Sequence, residues 1–161
     1  MSRADGAVEI GPLRDDERDA LFQLFSAIVD AREGYPHQPP LTADGFAATW
    51  LQPSTTVIAA RAGTRLAGAY YLKPNFPGRA AHIANAGYIV GAAHRGAGVG
   101  RALVEDSIAR APSLGFDAIQ FNLVFASNPA RPLYERLGWT QVGRVPEAVE
   151  GEDAIIYWRK V

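Results

Sequence analysis

The chain is 161 residues long, which is enough for one domain with a substantial buried core. Its formal net charge of -1 gives no electrostatic reason to expect nucleic acid or an anionic membrane as a partner. Because the chain has no cysteine, disulfides, thiolate metal sites and a cysteine nucleophile are excluded. We therefore expect a single domain over residues 1–161 that works without a metal.

No segment has the pattern of a targeting or membrane-spanning sequence. Residues 1–6 lack an apolar core of signal-peptide length, and we expect them to form a short tail. No apolar run approaches the length of a membrane span. These features predict a cytoplasmic protein that does not bind a membrane.

Hydrophobic patterning in the first half of the chain predicts a strand, two helices and a hairpin. A short strand covers residues 7–10, and apolar residues at helical spacing predict a helix over 13–32. Thr42 is a suitable N-cap for a second helix that runs to Trp50. Two apolar segments, 56–60 and 66–72, then form a hairpin around a glycine turn.

The second half predicts four further strands and two helices. The strands cover residues 82–90, 117–125, 139–145 and 153–159. One helix continues through 102–110, and a shorter helix begins near Pro132, because proline fits the first turn of a helix. The predicted order is therefore β-α-α-β-β-β-α-β-α-β-β, an α/β chain without internal repeats.

Three glycines at alternate positions lie between a predicted strand and a predicted helix, in the segment Arg95-Gly96-Ala97-Gly98-Val99-Gly100-Arg101. Glycine lets the backbone approach a ligand closely, and the helix start adds unpaired N–H groups and a positive dipole end. The segment therefore predicts a pyrophosphate site. A dinucleotide fingerprint does not fit, because Arg101 replaces its third glycine. A Walker A loop does not fit either, because its lysine and hydroxyl residue are missing.

A second motif follows about thirty residues later, after the predicted strand at 117–125. It reads Asn128-Pro129-Ala130-Arg131-Pro132-Leu133-Tyr134-Glu135-Arg136-Leu137-Gly138-Trp139. In this order, the two motifs resemble those of the GNAT acyltransferases. The resemblance implies a mixed, mostly antiparallel sheet of about seven strands, splayed between the fourth and fifth strands and flanked by about four helices.

The same resemblance implies an acetyl-CoA-dependent N-acetyltransferase that moves the acetyl group directly to an amine in a ternary complex. The edge of the fourth strand, Tyr88, Ile89 and Val90, would pair with the pantetheine arm and polarise the thioester carbonyl. Gly87, just before this edge, suits a β-bulge that would free those backbone groups. Residues 95–101 would hold the pyrophosphate, and Asn128 would lie beside the coenzyme. Tyr134 would touch the coenzyme and donate a proton to the departing thiolate.

The implied acceptor site contains amides where many relatives carry a glutamate base. Asn85 occupies that position, and Asn85, Asn122 and Asn128 together resemble the acceptor residues of fungal N-acetyltransferases that act on the proline analogue azetidine-2-carboxylate. Amides can bind a zwitterion without adding charge, and we expect Tyr35 to help close the site. Asn85 and Tyr134 are the catalytic candidates. The proton acceptor is then a bound water or His82.

Other functions and partners stay open at this point. A non-catalytic domain that binds or senses acyl-CoA, or an enzyme that acetylates protein N-termini or lysines, would carry the same motifs. The acceptor we favour is a small-molecule amine, with an amino or imino acid as one class. The aromatic run 154–159 forms either the last strand of the core or a contact with a second subunit of a homodimer.

Overall fold

A seven-stranded sheet organises the part of the chain described by the computed structural model, residues 7–161. The strands are β1 (Glu9–Pro12), β2 (Thr56–Ala62), β3 (Arg65–Pro74), β4 (Ile83–Val90), β5 (Ala118–Phe125), β6 (Thr140–Val149) and β7 (Glu152–Lys160). The helices are α1 (Arg18–Asp30), α2 (Ala43–Trp50), α3 (Val99–Arg110) and α4 (Arg131–Arg136). The predicted order of elements is confirmed, whereas the expected tail at residues 1–6 lies outside the described residues.

The strands follow the spatial order β1-β2-β3-β4-β5-β7-β6. All neighbouring pairs are antiparallel except β4 and β5, which are parallel. That parallel pairing covers only 83–85 against 118–120, although both strands continue for five further residues. The sheet is therefore splayed between its fourth and fifth strands, and the predicted fold class is confirmed.

Helices cover both faces of the sheet and bury two apolar clusters. On one face, α1 and α2 pack Phe25 and Trp50 against Tyr71 and Ile89 of the sheet. On the other face, α3 and α4 join the larger cluster that includes Leu103. The side chain of Thr42 accepts a hydrogen bond from the N–H of residue 45, which confirms the predicted cap of α2.

The first helix is shorter than its periodicity predicts. A 3-10 turn, Asp15–Glu17, precedes it, because the Glu17 carboxylate accepts from the Arg14 N–H and pairs with the buried Arg61. At its other end the helix stops at Asp30, and Arg32 has left-handed backbone geometry with φ of 55°. Tertiary contacts at one end and a turn at the other therefore set its limits.

The aromatic run near the C-terminus is a core strand. β7 lies between β5 and β6, and Ala154, Ile155 and Tyr157 are fully buried. The run therefore forms the last strand of the core, which is one of the two roles predicted for it.

The predicted bulge at Gly87 is absent from the pairing of β4 with β3. The β3–β4 register runs without a shift from Gly68 opposite Val90 to Pro74 opposite Ala84. Gly87 instead leaves room for aromatic side chains. A Cβ atom there would lie 2.6 Å from the Tyr35 hydroxyl oxygen and 2.7 Å from ring atoms of Tyr71.

We predict that Gly87→Ala destabilises the protein by about 1–3 kcal/mol, because the added methyl displaces packed rings. The free energy of unfolding from urea titration measures this. Gly11→Ala is the matched control, since its Cβ would meet only an Arg61 nitrogen at an ordinary 3.8 Å. Equal stability of Gly87→Ala and the unmodified protein would contradict the packing requirement.

Candidate active site

The gap between β4 and β5 exposes backbone groups of β4. Hydrogen bonds from Asn75 N–H to Ile83 O and from Gly91 N–H to Ala67 O, both 2.8 Å, flank the β3–β4 ladder. Because bonded pairs alternate along an antiparallel ladder, residues 83, 85, 87, 89 and 91 turn their backbone groups to β3. Tyr88 and Val90 therefore direct their N–H and C=O groups into the gap, beyond the last pair with β5.

Ile89 plays a different part from its two neighbours. Its backbone belongs to the ladder with β3, and its buried side chain lines the gap as an apolar wall. Of the three residues predicted to pair with a pantetheine arm, only Tyr88 and Val90 offer backbone groups to it.

Asn85 marks the point where the gap begins. It is opposite Gln120 in the last parallel pair, and its Nδ2 donates to the Gln120 carbonyl at 3.1 Å. This side chain bridges β4 and β5 where their backbones begin to separate. A carboxamide at this place cannot accept a proton at neutral pH, so Asn85 is no candidate base.

The diphosphate loop, residues 95–101, presents a row of backbone donors. Gly96 and Gly98 have φ of 77° and 80°, and a Cβ on either would meet no atom within 4 Å. The first helical hydrogen bond of α3 runs from Ala102 N–H to Gly98 O. Within the described residues, the N–H groups of 96–101 therefore have no backbone acceptor. They lie at the positive end of a helix, where an anion is stabilised.

Two cavities meet at the gap. The larger has a volume of about 880 Å³ and is lined by the gap-facing Tyr88, by Arg95 of the diphosphate loop and by the β6–β7 turn. The smaller, of about 350 Å³, lies on the α1–α2 side of the sheet and contains Asn85 and Tyr134. Residues 34–37, Tyr88 and Asn128 line both. A ligand that enters from the diphosphate loop can therefore reach a second ligand in the smaller cavity.

The three predicted acceptor asparagines all line the smaller cavity, but their side chains already have partners. Asn122 exchanges hydrogen bonds of 2.6 and 3.1 Å with Asn75. Asn128 accepts from the Ala130 N–H at 2.9 Å, so its oxygen stabilises the turn before α4. The Asn128 Nδ2 group and the backbone groups nearby are therefore the ones that can bind a ligand.

Tyr134 is buried in an aromatic cluster at the wall of the smaller cavity. Its ring lies 4.7 Å from that of Phe121 and 5.9 Å from that of Trp139, centroid to centroid. Its hydroxyl has no hydrogen-bond partner within residues 7–161. Burial raises the pKa of Tyr134 to about 12, so the phenol keeps its proton at neutral pH. The geometry leaves this hydroxyl available as a proton donor.

The segment after α1, residues 32–38, connects both cavities and the diphosphate loop. Tyr35 donates to the Tyr88 carbonyl at 3.2 Å, directly at the gap. Its neighbour Glu33 pairs with Arg95 at 2.5 Å, and Arg32 pairs with the turn residue Glu150 at 2.8 Å. These contacts attach the segment to the gap, to residues 95–101 and to the β6–β7 turn.

Of the three histidines, His37 is the one that lines the two cavities. Thr49 donates its hydroxyl hydrogen to the Gly45 carbonyl and so accepts from His37 Nε2, at 3.1 Å. The Nδ1 atom is buried without a partner among residues 7–161. Burial, with the nearby Lys73, lowers the pKa of His37, which leaves the ring neutral at pH 7.

His82, a candidate proton acceptor from the sequence, lies away from the site. It is exposed, its Nδ1 contacts the Arg79 carbonyl at 3.1 Å, and it lines neither cavity. In residues 7–161, no cluster of three or more His, Cys, Asp and Glu side chains has metal-site geometry. No helix in the same range has the length and apolarity to cross a bilayer.

Comparisons with known proteins agree with this geometry. The model of the acetyltransferase (GNAT) family matches residues 18–139. N-acetyltransferase aca1 of Schizosaccharomyces pombe is 46% identical over 86 residues, which are 53% of this chain and 41% of that protein. Mycothiol acetyltransferase of Pseudarthrobacter chlorophenolicus is 33% identical over 132 residues, 78% of this chain and 40% of that protein.

A solved structure extends the similarity to almost the whole chain. The GCN5-related N-acetyltransferase from Kribbella flavida has a TM-score of 0.89 and 36% identity, covering 96% of this chain and 98% of that one. The chain belongs to the GNAT acetyltransferase family. It spans about two fifths of the length of the two curated relatives above.

Members of this family use acetyl-CoA, and the diphosphate loop fits that molecule. The fit rests on the open space above Gly96 and Gly98 and on the row of unpaired N–H groups. The loop would hold the diphosphate, and the larger cavity would take the pantetheine arm.

We predict that Gly98→Ala weakens acetyl-CoA binding at least tenfold, about 1.4 kcal/mol. An alanine disfavours the φ of 80° and so turns the loop N–H groups away from the phosphates. Titration calorimetry measures the affinity. Gly115→Ala is the matched control, because Gly115 has φ of 88° and an open Cβ position but lines neither cavity. Unchanged affinity in Gly98→Ala would place the diphosphate elsewhere.

Proposed function

We propose that this protein is an acetyl-CoA-dependent N-acetyltransferase whose acceptor is the amine of a small molecule, an amino or imino acid. The observation that carries the proposal is the meeting of the two cavities at the splayed strands. One cavity begins at the diphosphate loop and the other is a separate pocket of about 350 Å³. This arrangement supports direct transfer between two ligands that are bound together.

Backbone groups at the gap position the reacting carbonyl. The thioester of the coenzyme supplies the acetyl group, and the N–H groups of Tyr88 and Val90 are free to pair with the arm that carries it. A backbone N–H directed at the carbonyl oxygen stabilises the negative charge that develops there. Because both strands are fixed by their outer neighbours, this donor is already oriented before a ligand binds.

Proton movements complete the reaction. The amine nitrogen forms a bond to the carbonyl carbon, the carbon–sulfur bond breaks, and the Tyr134 hydroxyl gives its proton to the sulfur. The surplus proton of the amine passes to a water held by the amide side chains and backbone carbonyls of the smaller cavity. Asn85 is not the base in this step, since a carboxamide accepts no proton at neutral pH. Its part is to orient groups where the gap begins.

The polar lining of the smaller cavity supports an amino or imino acid as the acceptor. Asn85, Asn122 and Asn128 line it, as the resemblance to azetidine-2-carboxylate acetyltransferases implies. The 46% identity to aca1 over 86 residues supports a common ancestry for this part of the chain. A proline-like imino acid is therefore the first acceptor to test.

One observation favours a competing function, a coenzyme-binding domain without turnover. Of the residues that the structure describes, no aspartate or glutamate lines the smaller cavity, so these residues offer no carboxylate base there. The free hydroxyl of Tyr134 argues for catalysis, because binding alone needs no proton donor at that place.

Release of coenzyme A thiol, measured across a panel of amines, tests the proposal. The panel contains imino acids, amino acids, simple amines, and peptides with free N-termini or lysines. We expect thiol release that depends on the amine and is fastest with a small amino or imino acid. Binding of acetyl-CoA without turnover of any amine would support the coenzyme-binding domain, and peptide-dependent release would identify a protein acetyltransferase.

We predict that Tyr134→Phe lowers kcat by about 100-fold or more, the usual contribution of a positioned proton donor. Acetyl-CoA affinity should change little, because the ring and its packing are retained. Stopped assays of thiol release and calorimetry measure the two quantities. Tyr70→Phe is the matched control, since Tyr70 also loses a buried hydroxyl, bonded to Asp106 at 2.6 Å, but lines neither cavity. Full turnover in Tyr134→Phe would remove this residue from the mechanism.

A further inference from the structure

Within the described part of the chain, the lining of the smaller cavity has one ammonium group and no carboxylate. The ammonium belongs to Lys73, one of only two lysines in the chain, the other being Lys160 at the end of β7. His37 is the other titratable nitrogen in the lining, and it is held neutral by burial, which lowers its pKa. The cavity thus carries a net positive charge before a ligand enters.

Lys73 is fixed beside the head of the gap. It lies on β3 directly opposite Asn85, so the two side chains share the face of the sheet that bounds the smaller cavity. Its Nζ atom lies 4.9 Å from the centroid of the Tyr71 ring. The attraction between a cation and an aromatic face holds the ammonium in place when no counter-ion is bound.

No carboxylate among residues 7–161 neutralises this ammonium. Within residues 7–161 Lys73 forms no ion pair, and its side chain is half-buried. A charge that is partly removed from water without a partner is unfavourable, and burial accordingly lowers the pKa of Lys73. An anionic group on a ligand would remove that penalty.

We propose that Lys73 binds the carboxylate of the acceptor and so selects amino or imino acids over amines without an acidic group. This inference rests on the proposed function. In an amino acid the amine and the carboxylate are attached to the same carbon. A carboxylate bound to Lys73 therefore keeps the amine close to Asn85 and to the gap at Tyr88, where the thioester carbonyl would be held.

Substitution of Lys73 tests the proposal with two acceptors that differ in one group, azetidine-2-carboxylate and azetidine-2-carboxamide. Lys73→Met keeps most of the side-chain volume and removes the charge. We expect kcat/KM for the acid to fall about 10- to 100-fold, the effect of one lost hydrogen bond to a charged group. The value for the carboxamide should change little. Lys160→Met, the same replacement at the exposed end of β7, should alter neither value.

An equal loss for both acceptors, or no loss for the acid, would overturn the role of Lys73. Lys73→Met must also retain the acetyl-CoA affinity of the unmodified protein in calorimetry, which shows that the fold and the coenzyme site are intact. Acetylation of Lys73 itself, detected by peptide mass spectrometry, would also overturn the proposal, because the residue would then be an acceptor.

Labelling of the unmodified protein gives an independent result that needs no turnover. Trinitrobenzenesulfonate modifies exposed lysines, and peptide mass spectrometry reports Lys73 and Lys160 separately. We expect azetidine-2-carboxylate to protect Lys73 while the carboxamide does not, with Lys160 unaffected by either. Absence of protection overturns the assignment of Lys73. Protection without turnover of any amine would instead mean that the proposed transferase function fails while the anion site stands.

Discussion

The short parallel contact between β4 and β5 is the constraint on which the rest of the site depends. Both strands are held along their outer edges, β4 by β3 and β5 by β7, so neither can close the gap. A shift in the β5–β7 register between Phe121 and Val124 falls where the two strands separate. The backbone N–H groups of Tyr88 and Val90 are consequently left for a ligand, at a place where buried unpaired groups would otherwise be costly.

The segment 32–38 connects the two binding regions through polar contacts at both ends. Glu33 reaches the diphosphate loop through Arg95, while Tyr35 reaches the gap through the Tyr88 carbonyl. A diphosphate bound at the loop would compete with Glu33 for the same guanidinium, since both are anions. Binding of a diphosphate would therefore act on the same ion pair that attaches segment 32–38 to the loop.

Features determined by local conformation could be predicted from the sequence, and features determined by distant contacts could not. The glycine loop was predictable because positive φ at Gly96 and Gly98 is a local property. Gly87 was misinterpreted, since the reason for a glycine there is a tyrosine about fifty residues away in the chain. Lys73 gave no signal, because its position in the cavity depends on how α2, β3 and β4 pack together.

Partial desolvation of the acceptor cavity offers a reason why a carboxylate base is dispensable. An amine must lose its proton before it attacks, and no carboxylate of residues 7–161 lines this cavity to accept that proton. Here a bound amine would lie in a partly desolvated cavity with neutral His37 and Tyr134 around it. Desolvation lowers the pKa of an amine. Burial would therefore favour the neutral, nucleophilic form of the acceptor, and a water would suffice to take the proton.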